Sequence, residues 1–255
     1  MLRKWIIYIE KFGGNNYLNF KNIHLCYLDN NCAISNNNND SYERYNTEIL
    51  LSGSKSIVNI TDTNFENIYG ERGIIVSNGG ILLMINNKFN SCSFQNGLIE
   101  IDKKKHYNEN YIDGYISINS SFFNNITSKN GAILNIKSLS EVPYEKIISF
   151  SDSTFINNTA LNFGGVIYSI SQYTNKYVSF ENCTFKDNQA NFGSISYSIN
   201  KLSEPSFSNI NELKKIKGAF VTNPSKIKIN GDINNNNNIS LFSGEFLPEN
   251  ITCNE

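Results

Sequence analysis

The chain is poor in the residues that catalytic and nucleic-acid-binding sites most often use. Its 255 residues include two histidines and three arginines, Arg3, Arg44 and Arg72, and the net charge is −1. A protein that binds nucleic acid through phosphates needs a basic stripe, whereas the one run of three basic residues here, Lys103–Lys105, has the length of a loop tip. The composition therefore predicts no nucleic-acid partner.

Long apolar segments are also absent. The longest apolar stretches are about six residues, far short of the roughly 20 that a membrane-spanning helix requires, so we expect no membrane span. Near the N-terminus, Trp5–Ile9 is too short for the apolar region of a signal peptide, and Glu10 ends it. We therefore expect this segment not to act as a signal peptide.

The cysteines are too few and too scattered for a disulfide framework or a zinc site. There are five, with no CxxC or Cys/His spacing. Cys26 and Cys32 are close enough in sequence to pair in an oxidising compartment, and equally compatible with reduced thiols. Gly79-Gly80 lacks the aspartate of a calcium-binding GGxGxD repeat, so we expect no metal and no cofactor.

Asparagine is abundant instead, at about one residue in six. A/T-rich codons are a sufficient cause, and runs of asparagine are most simply loops. The Asn-x-Ser/Thr sites permit glycosylation, but this composition yields about seven of them by chance. These sites are Asn39, Asn59, Asn119, Asn125, Asn157, Asn182, Asn238 and Asn250.

The sequence contains an internal repeat of about 30 residues, which indicates a fold built by stacking one unit. The clearest copies are residues 148–170 and 178–199, looser copies are 58–68, 88–101 and 116–136, and residues 206–221 form a weak, degraded last copy. We take one phenylalanine per copy as its origin. In the copy around residue 90 the alternative origin is Phe89, which preserves an eight-residue step to the next glycine, but we prefer Phe94 because it gives nearly even steps along the chain. These predicted origins are Phe65, Phe94, Phe123, Phe155 and Phe185.

Each unit reads as three short strands joined by polar corners. Apolar residues such as Ile148 and Phe150 precede the phenylalanine at alternating positions, which is the period of a strand rather than a helix. Asn, Asp and Gly follow, and these residues tolerate the left-handed backbone of tight corners. A polar slot recurs three residues before each origin or its equivalent, at Asn22, Asp62, Ser120, Asp152, Asn182 and Asn209.

This pattern predicts an all-β fold, a right-handed parallel β-helix of about six to seven coils over residues 1–222. The origin phenylalanines should form one interior column, and Cys92 and Cys183 should share a slot three coils apart, at about 14 Å, too far to bond. A β-propeller and a β-sandwich are the alternative folds, but neither explains the fixed register of the apolar slots.

The copies resemble the polymorphic outer-membrane protein (Pmp) repeat family of pectin-lyase-like β-helices. The residues that carry the resemblance are Phe155-Ile-Asn-Asn and Gly164-Gly165-Val-Ile, which are similar to the FxxN and GGAI elements of that family. The resemblance implies a surface-exposed segment used in adhesion. Related ectodomains continue into a β-sandwich, so residues 223–255 are expected to be a C-terminal extension that begins such a domain, cut short.

Pectin-lyase-like folds also host polysaccharide hydrolases and lyases, so an enzyme is the first alternative. The clustered aspartates and the Gly-His-Gly element that the resemblance would require of a hydrolase are absent, and the arginines are scattered. Asp62 and Asp152 share a column but lie two or three coils apart, beyond the separations of glycosidase carboxylates. We therefore expect no enzymatic activity.

A recognition surface is the remaining expectation. Insertions after the closing strands of successive units would stack along one edge, where repeat proteins place binding sites. Tyrosines at this edge form a candidate site for an unknown protein or glycan ligand, although they could instead only cover the wall. They are Tyr107, Tyr111, Tyr115, Tyr144, Tyr173 and Tyr177.

The sequence thus favours a non-catalytic β-helix segment that acts in adhesion or recognition, with a purely structural spacer as the second alternative. Because Trp5–Ile9 matches a closing strand of the repeat, the chain reads as a fragment of a larger secreted or membrane protein. We expect it to be extracellular or displayed at the cell surface.

Overall fold

The computed structural model describes residues 4–9, 17–26, 47–52, 56–76, 79–102, 114–141, 147–223, 228–230 and 252–254. The chain divides into two compact units, Met1–Thr222 and Asn223–Glu255. In the second unit, β26 (Lys228–Asn230) and β27 (Thr252–Asn254) pair antiparallel. The predicted β-sandwich stays a prediction.

The strands of the first unit are short and follow one another at regular intervals. The chain begins with β1 (Lys4–Ile9), β2 (Tyr17–Lys21), β3 (His24–Cys26) and β4 (Thr47–Ser52). It continues with β5 (Ile57–Thr61), β6 (Asn64–Glu66), β7 (Tyr69–Gly70) and β8 (Ile74–Val76). Next come β9 (Ile81–Ile85), β10 (Lys88–Asn90), β11 (Ser93–Phe94) and β12 (Ile99–Asp102).

The same order of strands then repeats. It comprises β13 (Tyr115–Asn119), β14 (Phe122–Asn124), β15 (Thr127–Asn130) and β16 (Leu134–Ser138), then β17 (Ile148–Ser151), β18 (Thr154–Ile156), β19 (Thr159–Phe163) and β20 (Ile167–Ser169). The last strands are β21 (Val178–Glu181), β22 (Thr184–Lys186), β23 (Ser196–Ser198), β24 (Ser206–Phe207) and β25 (Phe220–Thr222). The helical segments are single turns: α1 (Thr174–Tyr177), a 3-10 turn (Lys201–Ser203) and α2 (Ile210–Leu213).

These strands form four sheets in which every pairing is parallel. Sheet A has the order β1-β4-β8-β12-β16-β20-β23-β25, and sheet B has the order β2-β5-β9-β13-β17-β21-β24. Sheet C has the order β3-β6-β10-β14-β18-β22, and sheet D has the order β7-β11-β15-β19. Four successive coils, which begin with β5, β9, β13 and β17, pass through sheets B, C, D and A in turn, so the chain winds as the predicted right-handed parallel β-helix. The coils that begin with β2, β21 and β24 have no described strand in sheet D. The number of coils, six to seven, stays a prediction.

The predicted unit differs from the observed coil in one respect, because it lacked a separate sheet D. The first two strands of sheet D, β7 and β11, are only two residues long. A period of two needs more residues than this to become visible in a sequence. The four-sided coil was therefore not predictable from alternation alone.

A column of phenylalanine rings runs through the core behind sheet C. Successive ring centroids are 4.4 Å apart for Phe65–Phe89, 5.2 Å for Phe89–Phe123, 5.0 Å for Phe123–Phe155 and 4.9 Å for Phe155–Phe185. All five rings are buried. Nearly parallel, closely spaced rings fill the width of the coil, so this column fixes the position of each coil on the next.

The prediction that Phe94 belongs to this column is wrong, because Phe89 occupies the position. Phe94 is buried in β11 of sheet D, in register with Gly70 and Ser128. The prediction assumed an equal chain length between origins. Loops outside the strands absorb differences in length, so the pairing register and not the chain length determines which residues stack.

The corners use left-handed residues, as expected. At the corner from sheet B to sheet C, Asn22, Asp62, Asn86, Ser120, Asp152 and Asn182 have φ between 47° and 55°. Asn86 Nδ2 donates to Asp62 Oδ1 at 2.7 Å, and Asn182 Nδ2 donates to Asp152 Oδ1 at 3.3 Å. Asn209 departs from this column, because it has a φ of −107° and precedes α2.

A second left-handed position lies at the corner from sheet C to sheet D, and it orients a buried asparagine next to it. Asn158 and Asn188 follow the left-handed Asn157 and Asp187. Asn158 Oδ1 accepts from the backbone N–H of Ile126 at 3.1 Å, and its Nδ2 donates to the carbonyl of Phe123 at 3.1 Å. Asn188 repeats the arrangement one coil later: its Oδ1 accepts from the backbone N–H of Asn158 at 3.0 Å.

Cys92 and Cys183 do not share a slot, and this prediction is also wrong. Cys92 follows its column phenylalanine, Phe89, by three residues, whereas Cys183 precedes Phe185 by two residues. Both are free and buried, and burial raises the pKa of each thiol to about 11. The error came from the choice of Phe94 as an origin. Cys26 has no described side chain, and Cys32 lies outside the described residues.

Candidate functional site

The structure describes only half of the predicted tyrosine edge. Tyr107, Tyr111 and Tyr144 lie outside the described residues. Tyr115 begins β13 and is 39% exposed. Tyr173 is half-buried, and its hydroxyl donates to Glu141 Oε2 at 3.4 Å.

Tyr177 cannot contribute to a surface contact, because its side chain is fully buried. It ends α1, whose single turn brings Tyr177 onto the same side as Tyr173, with ring centroids 6.2 Å apart. Residues four apart in a helix share a face, so the turn directs Tyr177 into the core. The expectation of an exposed loop missed this helical turn.

The described part of the first unit contains a groove on the outer face of sheet D, with a volume of about 500 Å³. Its floor is a column of outward-facing residues from four successive coils, and this column begins with Tyr69. Strand register places Ser93 beside Tyr69, Thr127 beside Ser93 and Thr159 beside Thr127. Because paired strands lie about 4.8 Å apart, the column offers one polar side chain at each step along the axis.

Hydroxyl groups dominate this floor. Thr127 Oγ1 donates to Ser93 Oγ at 2.8 Å. Ser93, Thr127 and Thr159 are each half-buried. A hydroxyl both donates and accepts, so the floor can bind a partner that carries hydroxyl or ether oxygens.

One side of the groove is a ridge made by Gln95, Lys129 and Leu161 on successive coils. All three are exposed, and the Leu161 side chain is 69% exposed. Among the described residues that line the groove, Lys129 is the only charged one and none carries a carboxylate. The groove is therefore polar, nearly neutral and partly apolar along its rim.

An aromatic cluster lies beyond the ridge, where sheet D turns into sheet A. Phe163 is 5.6 Å from Phe192 and 4.6 Å from Tyr197 between ring centroids, and Tyr168 is 5.8 Å from Tyr197. Phe192 is 54% exposed and the other three rings are half-buried. Desolvation by burial, with a smaller contribution from Tyr197, raises the pKa of Tyr168.

A backbone constraint holds this corner in place. Gly164 follows Phe163 with a φ of +63°, and a Cβ there would lie 1.9 Å from the carbonyl oxygen of Ile167. No side chain fits in that space, so glycine is required for the chain to leave sheet D and enter sheet A.

A buried carboxylate lies on the outer face of sheet A, on the coils before the aromatic cluster. Glu100 is almost fully buried, with Lys137 Nζ at 2.6 Å from Oε1 and Arg72 Nη1 at 3.6 Å from Oε2. Glu100 is in register with Asn135, and Asn135 with Tyr168. Two cations compensate the charge of this carboxylate, as a buried charge requires. The geometry therefore assigns Glu100 a structural role.

The described residues contain no group of three or more His, Cys, Asp or Glu side chains that could hold a metal ion. Asp62 and Asp152 lie at the same corner with Asn86 and Ser120 between them. Three coil steps of about 4.8 Å separate the two carboxylates by about 14 Å, beyond the distance at which glycosidase carboxylates act together.

Comparisons with protein-family models, with curated proteins and with solved structures found no match to this chain. The assignment of the fold therefore rests on the strand topology and not on similarity to a known protein. Across the parts of the chain that the structure covers, no helix has both the length and the apolar character to cross a membrane.

Sequence reasoning missed both the groove and the aromatic cluster. For the cluster a signal was present: Asn-Phe-Gly occurs at 162–164 and 191–193, and a tyrosine follows each phenylalanine by five residues. For the groove no local signal exists, because each coil contributes only one or two ordinary polar residues. Only the pairing register brings them together.

Proposed function

We propose that this chain is a non-catalytic β-helix segment, extracellular or displayed at a cell surface, that recognises a ligand through side chains of successive coils. The observation that carries the proposal is the groove over sheet D, whose floor crosses four coils. Repeat proteins use surfaces assembled from consecutive repeats for recognition. The predicted binding edge remains part of this proposal at every tyrosine except the buried Tyr177, namely Tyr107, Tyr111, Tyr115, Tyr144 and Tyr173.

We also propose that the repeats are of the Pmp type within the pectin-lyase-like β-helices. Two placements support the proposal: Phe155 of the FxxN-like element lies in the core column, and Gly164 of the GGAI-like element makes the corner into sheet A. Asn125, Asn157 and Asn182 are exposed at corners, so glycans on an extracellular form would project into solvent.

A structural spacer is the second candidate, and the continuous phenylalanine column favours it. A spacer needs only a stiff axis, and stacked rings at 4.4–5.2 Å supply one. A spacer does not need a groove of defined chemistry. Blocking the groove therefore separates the two candidates.

The experiment compares two double variants with the parent chain. Thr127→Arg with Thr159→Arg fills the groove from adjacent coils. Thr154→Arg with Thr184→Arg places the same pair of side chains on the outer face of sheet C, again on adjacent coils. Beads coated with each protein are then tested for adherence to cells and to panels of immobilised glycans and extracellular proteins.

Recognition predicts that the parent and the sheet C control adhere to at least one surface and that the groove variant does not. Equal adherence of all three would overturn the groove as the recognition surface and leave the tyrosine edge, whereas adherence by none would leave only the spacer. Turnover of a polysaccharide by the parent chain, lost on replacing one acidic residue, would establish an enzyme instead. Circular dichroism of all three proteins confirms that the variants retain the β-fold.

A further inference from the structure

We infer that the groove over sheet D binds an extended, uncharged oligosaccharide that lies along the axis of the solenoid with about one sugar unit per coil. This inference rests on the proposed recognition function and names the chemical class of the ligand. It depends on the spacing of the groove, on its hydrogen-bonding groups and on its charge.

The spacing of the floor matches a sugar chain better than a peptide. Ser93, Thr127 and Thr159 recur once per coil, at about 4.8 Å, which is close to the length of one monosaccharide unit in an extended polysaccharide. A bound peptide strand advances about 3.3 Å per residue and places side chains on one face at twice that distance. The side chains of a peptide would therefore no longer lie opposite the floor hydroxyls after two coils, because the two spacings differ.

The hydrogen-bonding groups also suit a sugar. Each floor hydroxyl both donates and accepts, and so does the amide of Gln95, while Lys129 donates three hydrogen bonds. A sugar ring presents hydroxyls of both kinds together with ether oxygens that only accept. Every polar group of the groove therefore has a complement on such a ligand.

The charge of the groove excludes the other extended polymers. A nucleic acid presents one phosphate per nucleotide and needs a cation near most of them, whereas the described lining of the groove has a single charged group, Lys129. A polyuronide has the same requirement for its carboxylates. An uncharged chain leaves Lys129 free to hydrogen-bond without demanding further cations.

The apolar parts of the groove fit the remaining surface of a sugar. Leu161 on the ridge is 69% exposed, and Tyr69 begins the floor. The C–H faces of a pyranose ring are apolar, and burying them against leucine and tyrosine removes apolar surface from water on both partners. The ends of the groove thus provide contacts that the hydroxyls do not.

The length of the floor sets the expected length of the ligand. Tyr69, Ser93, Thr127 and Thr159 span four coils, and a volume of about 500 Å³ lies within the range of small-ligand sites. Affinity should increase with each added sugar up to about four units. Further units would extend beyond the floor and add little.

The test uses isothermal titration calorimetry of the full chain with neutral linear oligosaccharides: the cello-, xylo-, manno- and chito-series from two to six units. We expect at least one series to bind, with a Kd that falls with length up to about four units and then levels. Thr127→Val should weaken that binding about 5-fold, the loss of one net hydrogen bond. Thr154→Val, the same change on sheet C, should leave the Kd unchanged.

Lys129→Gln keeps a donor while removing the charge, and its exposed position makes it harmless to folding. It should change the affinity for the neutral series less than 3-fold, which separates this ligand class from acidic glycans. Stronger binding of oligogalacturonate than of any neutral series, lost in Lys129→Gln, would overturn the inference.

Two other results would also overturn it: no binding by any series, or binding with no dependence on length or on Thr127. The proposed recognition function would survive either result if the groove variant still abolished adherence to a protein ligand. Failure of the sugar inference is therefore distinguishable from failure of the recognition proposal.

Discussion

Asn158→Ala should destabilise the protein strongly, whereas Asn157→Gly at the adjacent residue should have almost no effect. The Asn158 side chain is fully buried and bonds two backbone groups of the preceding coil, the N–H of Ile126 and the carbonyl of Phe123. Alanine removes both bonds and leaves the buried N–H of Ile126 without a partner, while the Phe123 carbonyl keeps its place in the parallel pairing of β14 with β18.

The magnitude follows from the two hydrogen bonds that are lost. A buried polar group that loses its partner costs about 1–3 kcal/mol and a net hydrogen bond about 1 kcal/mol, so Asn158→Ala should lower the free energy of unfolding by about 3 kcal/mol. Asn157 is exposed, has a φ of +55°, and makes only a 3.4 Å contact with Asn124. Glycine adopts that backbone freely, so Asn157→Gly should change the free energy of unfolding by less than about 0.5 kcal/mol.

Urea unfolding followed by far-ultraviolet circular dichroism measures both variants. Because stacked repeats can unfold in parts, hydrogen exchange of the Ile126 amide provides a local measurement, and it should lose protection only in Asn158→Ala. Equal loss of stability in the two variants would refute the reasoning, since it would mean that the buried hydrogen bonds contribute nothing specific.

The other predictions concern the core, the corner and the thiols. Phe123→Ala should lower the free energy of unfolding by about 4 kcal/mol, and Phe192→Ala, at a ring that is 54% exposed, by about 1 kcal/mol; similar values in urea titrations would contradict the assigned core. Gly164→Ala should cost more than about 3 kcal/mol, because its Cβ would meet a carbonyl at 1.9 Å; a normal melting temperature would contradict this. Burial raises the pKa of the Cys92 and Cys183 thiols to about 11 in the folded protein. The free energy of unfolding should therefore not change through these thiols below about pH 9, and it should fall as the pH rises from about 9 to 11, because there the thiols ionise in the unfolded chain but not in the folded one. Rapid native-state alkylation of either thiol at pH 8 would count against that burial.

The parts of the fold that were predictable have a strong local pattern. Val58 and Ile60 alternate with polar residues and are buried, as expected of a strand with one face in the core. The left-handed Asp62 that follows belongs to a residue type that tolerates this backbone. Even the weak last copy forms strands, at β24 and β25.

The parts that were not predictable depend on pairing between coils. To choose Phe89 over Phe94 one must know that β10 pairs with β6 so that Phe89 lies beside Phe65. The residues around position 90 do not reveal this pairing. The burial of Tyr177 depends on one helical turn, too short for periodicity to reveal. The floor of the groove includes both Tyr69 and Thr159, which are 90 residues apart in the sequence. The sequence around either residue gives no sign that the two lie on the same surface.

The phenylalanine column makes the pitch of this protein independent of the length of its loops. Twenty-four residues separate Phe65 from Phe89, and thirty-four separate Phe89 from Phe123, yet the two ring spacings are 4.4 and 5.2 Å. The packing of the core rings thus sets the spacing between coils, whatever the number of residues in the loops that connect them. Evolution can lengthen or replace loops at one coil after another while the residues over sheet D keep their mutual spacing, so the loops and the groove are free to diversify separately.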